Sequence, residues 1–360
     1  MASKKIRVLV LFGGRSSEHE VSILSAASII AALDPGRYEA IPVAIERSGR
    51  WLEPAAAAQL LPPETARKCS LAQVTISHQA GCSAGFDVIF PALHGSYGED
   101  GRLQGLLDMA GLPYVGSGVL GSACGMDKDV MKRLFKAGGI PTLPHETVLR
   151  GEASASIRRI ERGPGYPAFV KPANLGSSVG IRRVEGRQSL IDALHYAHEF
   201  DTKAIVERGM EVREIECAVI GNRSPEASLP GEIVTRGGFY DYKAKYVTDS
   251  AELIAPAELD TGQVEAVRDL AVAAFRSVGC AGLARVDFFI ARNAGRHEIL
   301  VNEVNTMPGF TSISMFPRLW AVSGLPYKRL VEKLIGLALE RHAEAGALRF
   351  DAGQEGVVTS

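Results

Sequence analysis

Two stretches near the end of the 360-residue chain carry the side chains best suited to chemistry. In Arg285-Val286-Asp287-Phe288-Phe289, the alternation of a strand puts Arg285 and Asp287 on one face and Val286 and Phe288 on the other. In Asn302-Glu303-Val304-Asn305, Glu303 and Asn305 share a face. The turn-like Arg292-Asn293-Ala294-Gly295 joins the two runs, so pairing them brings Asp287, Glu303 and Asn305 together. Two carboxylates and an amide oxygen form a hard-oxygen site suited to Mg²⁺, which keeps waters and phosphate oxygens as further ligands. Arg285 beside them would stabilise negative charge. The competing reading is a solvated polar face of an antiparallel sheet. It fits less well, because the polar set lies inside strongly apolar strands.

Four other stretches have chemical potential. Lys171-Pro172-Ala173-Asn174-Leu175-Gly176-Ser177-Ser178-Val179-Gly180-Ile181 ends a strand on a lysine and continues as a Gly/Ser loop. Its N–H groups and hydroxyls can hold a phosphate, with the lysine as a point charge. The spacing is not that of a P-loop, and an ordinary turn is the alternative. Residues 237–246, rich in aromatic and polar side chains, read as a lid or, on composition alone, as a plain surface loop. In Gly13-Gly14-Arg15-Ser16-Ser17-Glu18-His19-Glu20, Ser17 and Glu20 have the spacing of a helix capping box. That helix would open after the first strand, where α/β sheets place ligands. Glu18 there either binds a substrate ammonium or complements the helix dipole. His94, beside Gly95 at the end of a strand, is a site candidate set against the commoner structural histidine.

The elements that position these residues alternate in type. Residues 6–12, 38–45 and 87–92 read as strands, and 20–33 and 101–110 as helices. Such alternation predicts an α/β fold with an N-terminal parallel sheet covered by helices. Residues 54–84 have weak periodicity and read as peripheral, and Gly-rich 116–125 as the exit from this unit. The boundaries expected are 1–126, 127–217 and 218–347, with a flexible tail at 348–360. The middle unit holds helices at 128–137 and 189–199 and strands at 169–171 and 204–207. The third holds strands at 284–291 and 297–305, a lid loop at 236–252 and a final helix at 326–345.

Composition excludes several classes. Apolar residues make up 46% and charged residues 22%, enough for a buried core. A net charge of −1 and a pI near 6.7 leave no general basic field for a nucleic acid. No apolar run reaches membrane-spanning length. The start is weakly basic and then apolar, as in a signal peptide, but lacks a small-residue cleavage site and reads as a first strand. The cysteines Cys69, Cys82, Cys124, Cys217 and Cys280 are odd in number and form no C-x-x-C pair. They are expected to be reduced thiols of a cytoplasmic protein.

Six motifs then occur in order: G-G-R-S-S-E-H-E-V-S, H-G-S-Y-G-E-D-G, K-P-A-N-L-G-S-S-V-G, F-Y-D-Y-K-A-K-Y, A-R-V-D-F and N-E-V-N-T-M-P-G-F-T-S-I-S. In these the chain resembles the D-alanine–D-alanine ligases of the ATP-grasp superfamily, over residues 13–339. The resemblance implies a three-domain ligase, α+β in its ATP-grasp part. It implies ATP-dependent joining of two D-alanines through a D-alanyl phosphate, for peptidoglycan precursor synthesis. It also implies two Mg²⁺ or Mn²⁺ ions and a homodimer. By position, Lys128, Lys171 and Lys245 would grip ATP phosphates. Glu207 and Met210 would hold the adenine and Glu214 the ribose, with Ser177 and Asn302 also at the nucleotide. Asp287, Glu303 and Asn305 would bind the metals. Glu18 would take the ammonium of the first D-alanine, with His94 nearby, and would join Ser177 and Tyr246 in a set that closes the lid. Arg285 and the Gly309 N–H would form an oxyanion hole, and Ser314 would hold the second carboxylate. Met307 departs from a serine common in the family, and no step depends on that hydroxyl. Two rivals remain. A D-alanine–D-lactate ligase is disfavoured by Tyr246, and an inactive nucleotide-binding protein by the complete set of lysines and metal-ligand candidates.

Overall fold

In a computed structural model, residues 4–75, 85–235, 251–293 and 296–349 are described. The lid-loop residues Lys245 and Tyr246 lie outside them, as do Cys82 and most of the tail. Ile6–Gly13 (β1) is buried from Val8 onward, as a strand covered on both faces must be. His19–Ala32 (α1) follows, and β1 pairs in parallel with Tyr38–Ile45 (β2). Trp51–Leu52 (β3) edges β2, and Pro54–Ala58 (α2) and Pro63–Ala66 (α3) come next. Val88–Pro91 (β4) is parallel to β1 on its other side, giving the order β3-β2-β1-β4. The expected N-terminal parallel sheet is therefore present. Arg102–Met109 (α4) and Val119–Met126 (α5) complete this part.

One local expectation fails here for a physical reason. The capping box at Ser17 and Glu20 does not form. Glu18 is the cap residue of α1, and its own side chain makes no cap hydrogen bond. Ser16 Oγ instead accepts the Glu18 N–H at 2.9 Å, and Glu20 turns outward to Arg47 at 2.6 Å. Gly-rich 116–125 lies mostly in helix α5. Its glycines permit close packing: a Cβ on Gly121 would lie 2.5 Å from the Gly279 carbonyl oxygen.

After Lys128–Ala137 (α6), the chain builds a small unit from His145–Leu149 (β5), Ala153–Arg162 (α7), Ala168–Pro172 (β6), Arg182–Val184 (β7), Arg187–Phe200 (α8) and Lys203–Arg208 (β8). Its strands form an antiparallel sheet in the order β5-β8-β6-β7. Val148, Ile160, Val170, Leu190, Leu194 and Val206 give it a core of its own.

The last part contains Val212–Gly221 (β9), Glu226–Ala227 (β10), Gly231–Thr235 (β11), Ala251–Ile254 (β12), Thr261–Val278 (α9), Gly282–Asn293 (β13), Arg296–Asn305 (β14), Met315–Val322 (α10) and Tyr327–Gly346 (α11). The sheet runs β12-β11-β9-β13-β14, with β10 on β9. The boundary expected at 217 falls inside β9; the chain passes between sheets at 209–211. Helix α9 was not foreseen, although it has a full capping box. Asp260 Oδ1 accepts the Gln263 N–H at 2.8 Å, and Gln263 Oε1 accepts the Asp260 N–H at 3.2 Å. Helices α6 and α9 cover one face of this sheet through Met131, Phe135, Val267 and Phe275. On the other face Phe310, Phe316, Leu330 and Leu334 pack into one core with Val8, Val10 and Phe12 of β1. The first and last sheets therefore share a core. No helix among the described residues is long and apolar enough to cross a membrane.

Candidate active site

The hairpin of β13 and β14 brings the metal-ligand candidates together as strand parity requires. Asp287 stands opposite Glu303, and Arg285 opposite Asn305. Val286, Phe288 and Ile290 are buried in the core on the far face. Between Asp287 and Phe288 the register shifts, so that Phe288 pairs with Val301 and Asn302 has no partner in the ladder. This bulge turns two adjacent residues, Asn302 and Glu303, into one small cavity of about 100 Å³. Strand β9 lies on the other side of β13 and contributes Glu214 and Glu216 to the same cavity.

Arg285 holds Asp287 in a two-pronged ion pair, with Nε to Oδ1 at 2.6 Å and Nη2 to Oδ2 at 2.7 Å. Its Nε is also 3.2 Å from Glu216. Burial works against the guanidinium charge, but Asp287 and Glu216 outweigh it and hold Arg285 protonated. Among the described residues, no three His, Cys, Asp or Glu side chains group into a metal site by themselves. The Asn305 amide is needed as the third donor beside Asp287 and Glu303. These hard oxygens fit Mg²⁺ or Mn²⁺, and the Arg285 guanidinium balances the carboxylate charge meanwhile.

The lysines come from helix and strand ends that face this cavity. Asp127 caps α6, accepting from the N–H groups of Asp129 and Val130 at 3.1 and 3.0 Å, and so fixes Lys128 at the first turn. The Lys128 ammonium donates to the Leu175 carbonyl at 2.7 Å and lies 3.5 Å from Glu303. Lys171, at the end of β6, pairs with Glu207 at 2.5 Å. Burial opposes the Lys171 charge, but Glu207 and Glu303 raise its pKa above the ordinary lysine value. Glu207 is 1% exposed, and its other oxygen lies 2.5 Å from Lys132. Burial alone would raise this carboxyl, but the two ammonium groups hold it well below the usual range. The Glu207 carboxylate is thus taken up by lysines, and its backbone lies in the ladder between β5 and β6. Met210 is half-buried between β8 and β9.

The loop after Lys171 passes between the two parts of the site. Ser177 and Ser178 both have left-handed backbones, with φ of 53° and 57°. Side chains of this kind rarely adopt that conformation, at about 1–3 kcal/mol each, and it concentrates at functional sites. Ser177 Oγ is buried without a hydrogen-bond partner among the described residues. Glu18 faces the same loop: its Oε2 lies 4.0 Å from where a Cβ of Gly176 would be. On its other side, a Cβ on Gly95 would lie 2.9 Å from that oxygen, so only glycine lets the carboxylate approach.

Glu18, His94, Ser177, Arg285, Glu303, Asn305, Gly309 and Ser314 all line one cavity of about 410 Å³. His94 is 3% exposed, and both its ring nitrogens are engaged. Nδ1 faces the Met307 carbonyl at 2.9 Å, so it carries the proton; Nε2 then accepts from Ser25 Oγ at 2.9 Å. His94 therefore anchors the segment that presents Gly309 to the cavity. Ser314 Oγ accepts from the Thr311 N–H at 3.1 Å and stands just before α10.

Three ionisable residues at the site were not singled out from sequence. Glu216 was legible: in Glu214-Ile215-Glu216 two glutamates share a strand face. Glu99 lies within a motif, but its burial comes from tertiary packing. It accepts the Gly95 N–H at 2.7 Å and the Met307 N–H at 3.1 Å, tying two cavity loops together. Lys132 gave no signal on its amphipathic helix.

Comparison with known proteins followed the geometry. A family model of the D-ala D-ala ligase C-terminus matches residues 134–336, and one of the D-ala D-ala ligase N-terminus matches residues 7–117. The chain is 46% identical over 346 residues to a D-alanine–D-alanine ligase of Solibacter usitatus (strain Ellin6076), covering 96% of this chain and 99% of that protein. The solved structure of the D-alanine–D-alanine ligase from Coxiella burnetii superposes with a TM-score of 0.83 at 37% identity, over 96% of this chain and 97% of the other. The VanG D-Ala:D-Ser ligase of Enterococcus faecalis also gives a TM-score of 0.83, at 36% identity, over 93% and 100%.

Burial, and then the charge of Glu18, push the Glu99 carboxyl up to about 8. A pKa raised on folding adds stability that is complete below the unfolded value of 4.5 and is lost as pH rises through about 8. Glu99→Gln lacks this titration. Its stability relative to the parent is expected to rise by up to about 1.4 kcal/mol per pH unit between pH 5 and 8 and then to level off. Urea midpoints of both proteins across that range test this; a constant difference would contradict it.

Proposed function

Because the chain belongs to the D-alanine–D-alanine ligase family, we propose that the 410 Å³ cavity and the lysine-lined cavity beside it are its two substrate sites. The enzyme joins two molecules of D-alanine to D-alanyl-D-alanine with consumption of ATP, in peptidoglycan synthesis. One observation carries the assignment of sites. Lys128, Gly176, Ser177, Glu216 and Glu303 line both cavities, so a phosphoryl donor in one meets an acceptor in the other.

A carboxylate is a poor electrophile, and transfer of the γ-phosphoryl group of ATP gives it a leaving group. In this reading Lys128 and Lys171 hold the phosphates, joined by Lys245 from outside the described residues. Glu207 and Met210 lie where the adenine is received, Glu214 takes the ribose, and Asn302 lies beside the phosphates. Asp287, Glu303 and Asn305 hold two Mg²⁺ or Mn²⁺ ions, which neutralise phosphate charge. Glu18 takes the ammonium of the first D-alanine; His94 supports that pocket from behind. Ser177 is free to complete a hydrogen-bonded set with Glu18 and Tyr246. Ser314 receives the carboxylate of the second D-alanine, whose amine attacks the D-alanyl phosphate. Arg285 and the Gly309 N–H stabilise the tetrahedral oxyanion; one such donor is typically worth about 10²–10³ in rate. Exclusion of water by the closed loops protects the acyl phosphate from hydrolysis.

The domain division follows the sheets, with the small middle unit closing over the nucleotide. A cytoplasmic location agrees with the free thiols of Cys69, Cys124, Cys217 and Cys280. The homodimer is proposed from the family resemblance. Met109 and Leu120, exposed on the adjoining helices α4 and α5, offer an apolar face for it.

ADP formation that depends on D-alanine, with D-alanyl-D-alanine as product, is the direct test. Release of phosphate without any response to D-alanine would favour a binding protein. With D-lactate competing near pH 7, the dipeptide is expected to dominate, and a mainly depsipeptide product would overturn the choice of amine. Glu303→Gln should lower kcat by roughly 100-fold or more while the urea midpoint stays unchanged. Near-parental turnover at ordinary Mg²⁺ would remove Glu303 from the metal site. Sedimentation at twice the chain mass is the outcome expected for the dimer; a monomer at micromolar concentration would exclude it.

A further inference from the structure

Lys132 lies in the middle of α6, and its side chain is 1% exposed. Burying an ammonium requires full compensation. Lys132 has it: Nζ lies 2.5 Å from Glu207 Oε1 and donates to Thr142 Oγ1 and the Asn302 carbonyl, both at 3.1 Å. Burial lowers the Lys132 pKa and Glu207 works against that; with three acceptors facing its ammonium, the group is held in place and cannot also reach a substrate. Each acceptor belongs to a different segment. Glu207 is on β8 of the middle unit. Asn302 is the bulged residue of β14, whose carbonyl has left the strand ladder, and it precedes Glu303.

The charges add simply. Lys132 and Lys171 share one carboxylate, one ammonium on each oxygen. The triad carries a net positive charge, and Lys171 is its only member that lines the 100 Å³ cavity. Without Lys132, Glu207 would neutralise Lys171, and the Asn302 carbonyl would lose its donor.

We propose that Lys132 is a positioning residue for the nucleotide phosphates, leaving the charge of Lys171 available to them and fixing the bulge that aims Asn302 and Glu303. This rests on the ATP-site reading above, and deepens it. Lys132 itself touches no substrate.

The test is equilibrium binding of ADP and of adenosine, with Mg²⁺ present, to the parent enzyme and to Lys132→Met, which keeps the length of the chain and removes the charge. Adenosine has no phosphate and reports the base pocket alone. The expected result is ADP binding weakened at least tenfold, with adenosine within twofold of the parent. Unchanged ADP binding, or equal losses for both ligands, would overturn the proposal, since a merely structural lysine does not distinguish them. Should Lys132→Met not fold, Lys132→Gln decides: it removes the charge but keeps a donor within the same pocket, and should likewise weaken ADP at least tenfold with adenosine within twofold of the parent. Unchanged ADP binding there would overturn the charge argument. Failure of the parent to bind ADP would be a different result, and would sink the ATP-site assignment itself.

Discussion

Charges taken out of water must be matched, and the arrangement of this site follows from that constraint. Lys132, Lys171 and Glu207 are nearly or fully excluded from solvent, as are Arg285 and Glu216. Each ion has a partner at hydrogen-bond or ion-pair distance, and apart from Arg285 and Asp287, which share β13, the partners sit on different regular elements. A helix end supplies Lys128, strand ends supply Lys171 and Glu207, and strand faces supply Arg285, Asp287 and Glu216. Flexible segments could not keep such pairs in register. In a water-poor cleft an ion pair is stronger than at the surface, so the same burial that demands matching would also strengthen the proposed grip on phosphate.

Much of this was legible in the sequence, for a definite reason. Strand alternation is a local rule, and Arg285, Asp287, Glu303 and Asn305 obey it on both strands of one hairpin. The rule applied to Glu214 and Glu216 would have found β9 as well. It does not reveal the bulge at Asn302, because an extra residue in a ladder is defined by the partner strand. Lys132 and Glu99 are further from reach. The first finds a carbonyl 170 residues away, the second an N–H 208 residues away, and no local pattern encodes such distances. In 116–125 the glycine density was legible but not its use, the close approach of α5 to Gly279. Helix α9 needed only its Asp260 and Gln263 signals, which were present in plain view.

Domain division illustrates a similar limit. The boundaries expected from sequence treat the chain as three successive units. Packing divides it differently: the first and last sheets share a core around Phe12, Phe90, Phe310 and Phe316, whereas the middle sheet has its own. The ring of Phe310 lies 5.6 Å from Phe90 and 5.7 Å from Phe316, which fastens the segment carrying Gly309 to the first sheet and to helix α10 at once. An amino-acid pocket built across that seam is as rigid as the core beneath it.

The middle unit is connected to the rest by only two passages of chain, after α6 and before β9. A module with its own core and two attachment points can be inherited as a cassette. On the proposed assignment, changes that retune the amino-acid pocket fall mostly on the fused first and last parts, while Lys171 and Glu207 of the nucleotide site travel with the cassette. Selection on acceptor choice can therefore leave that half of the nucleotide grip untouched.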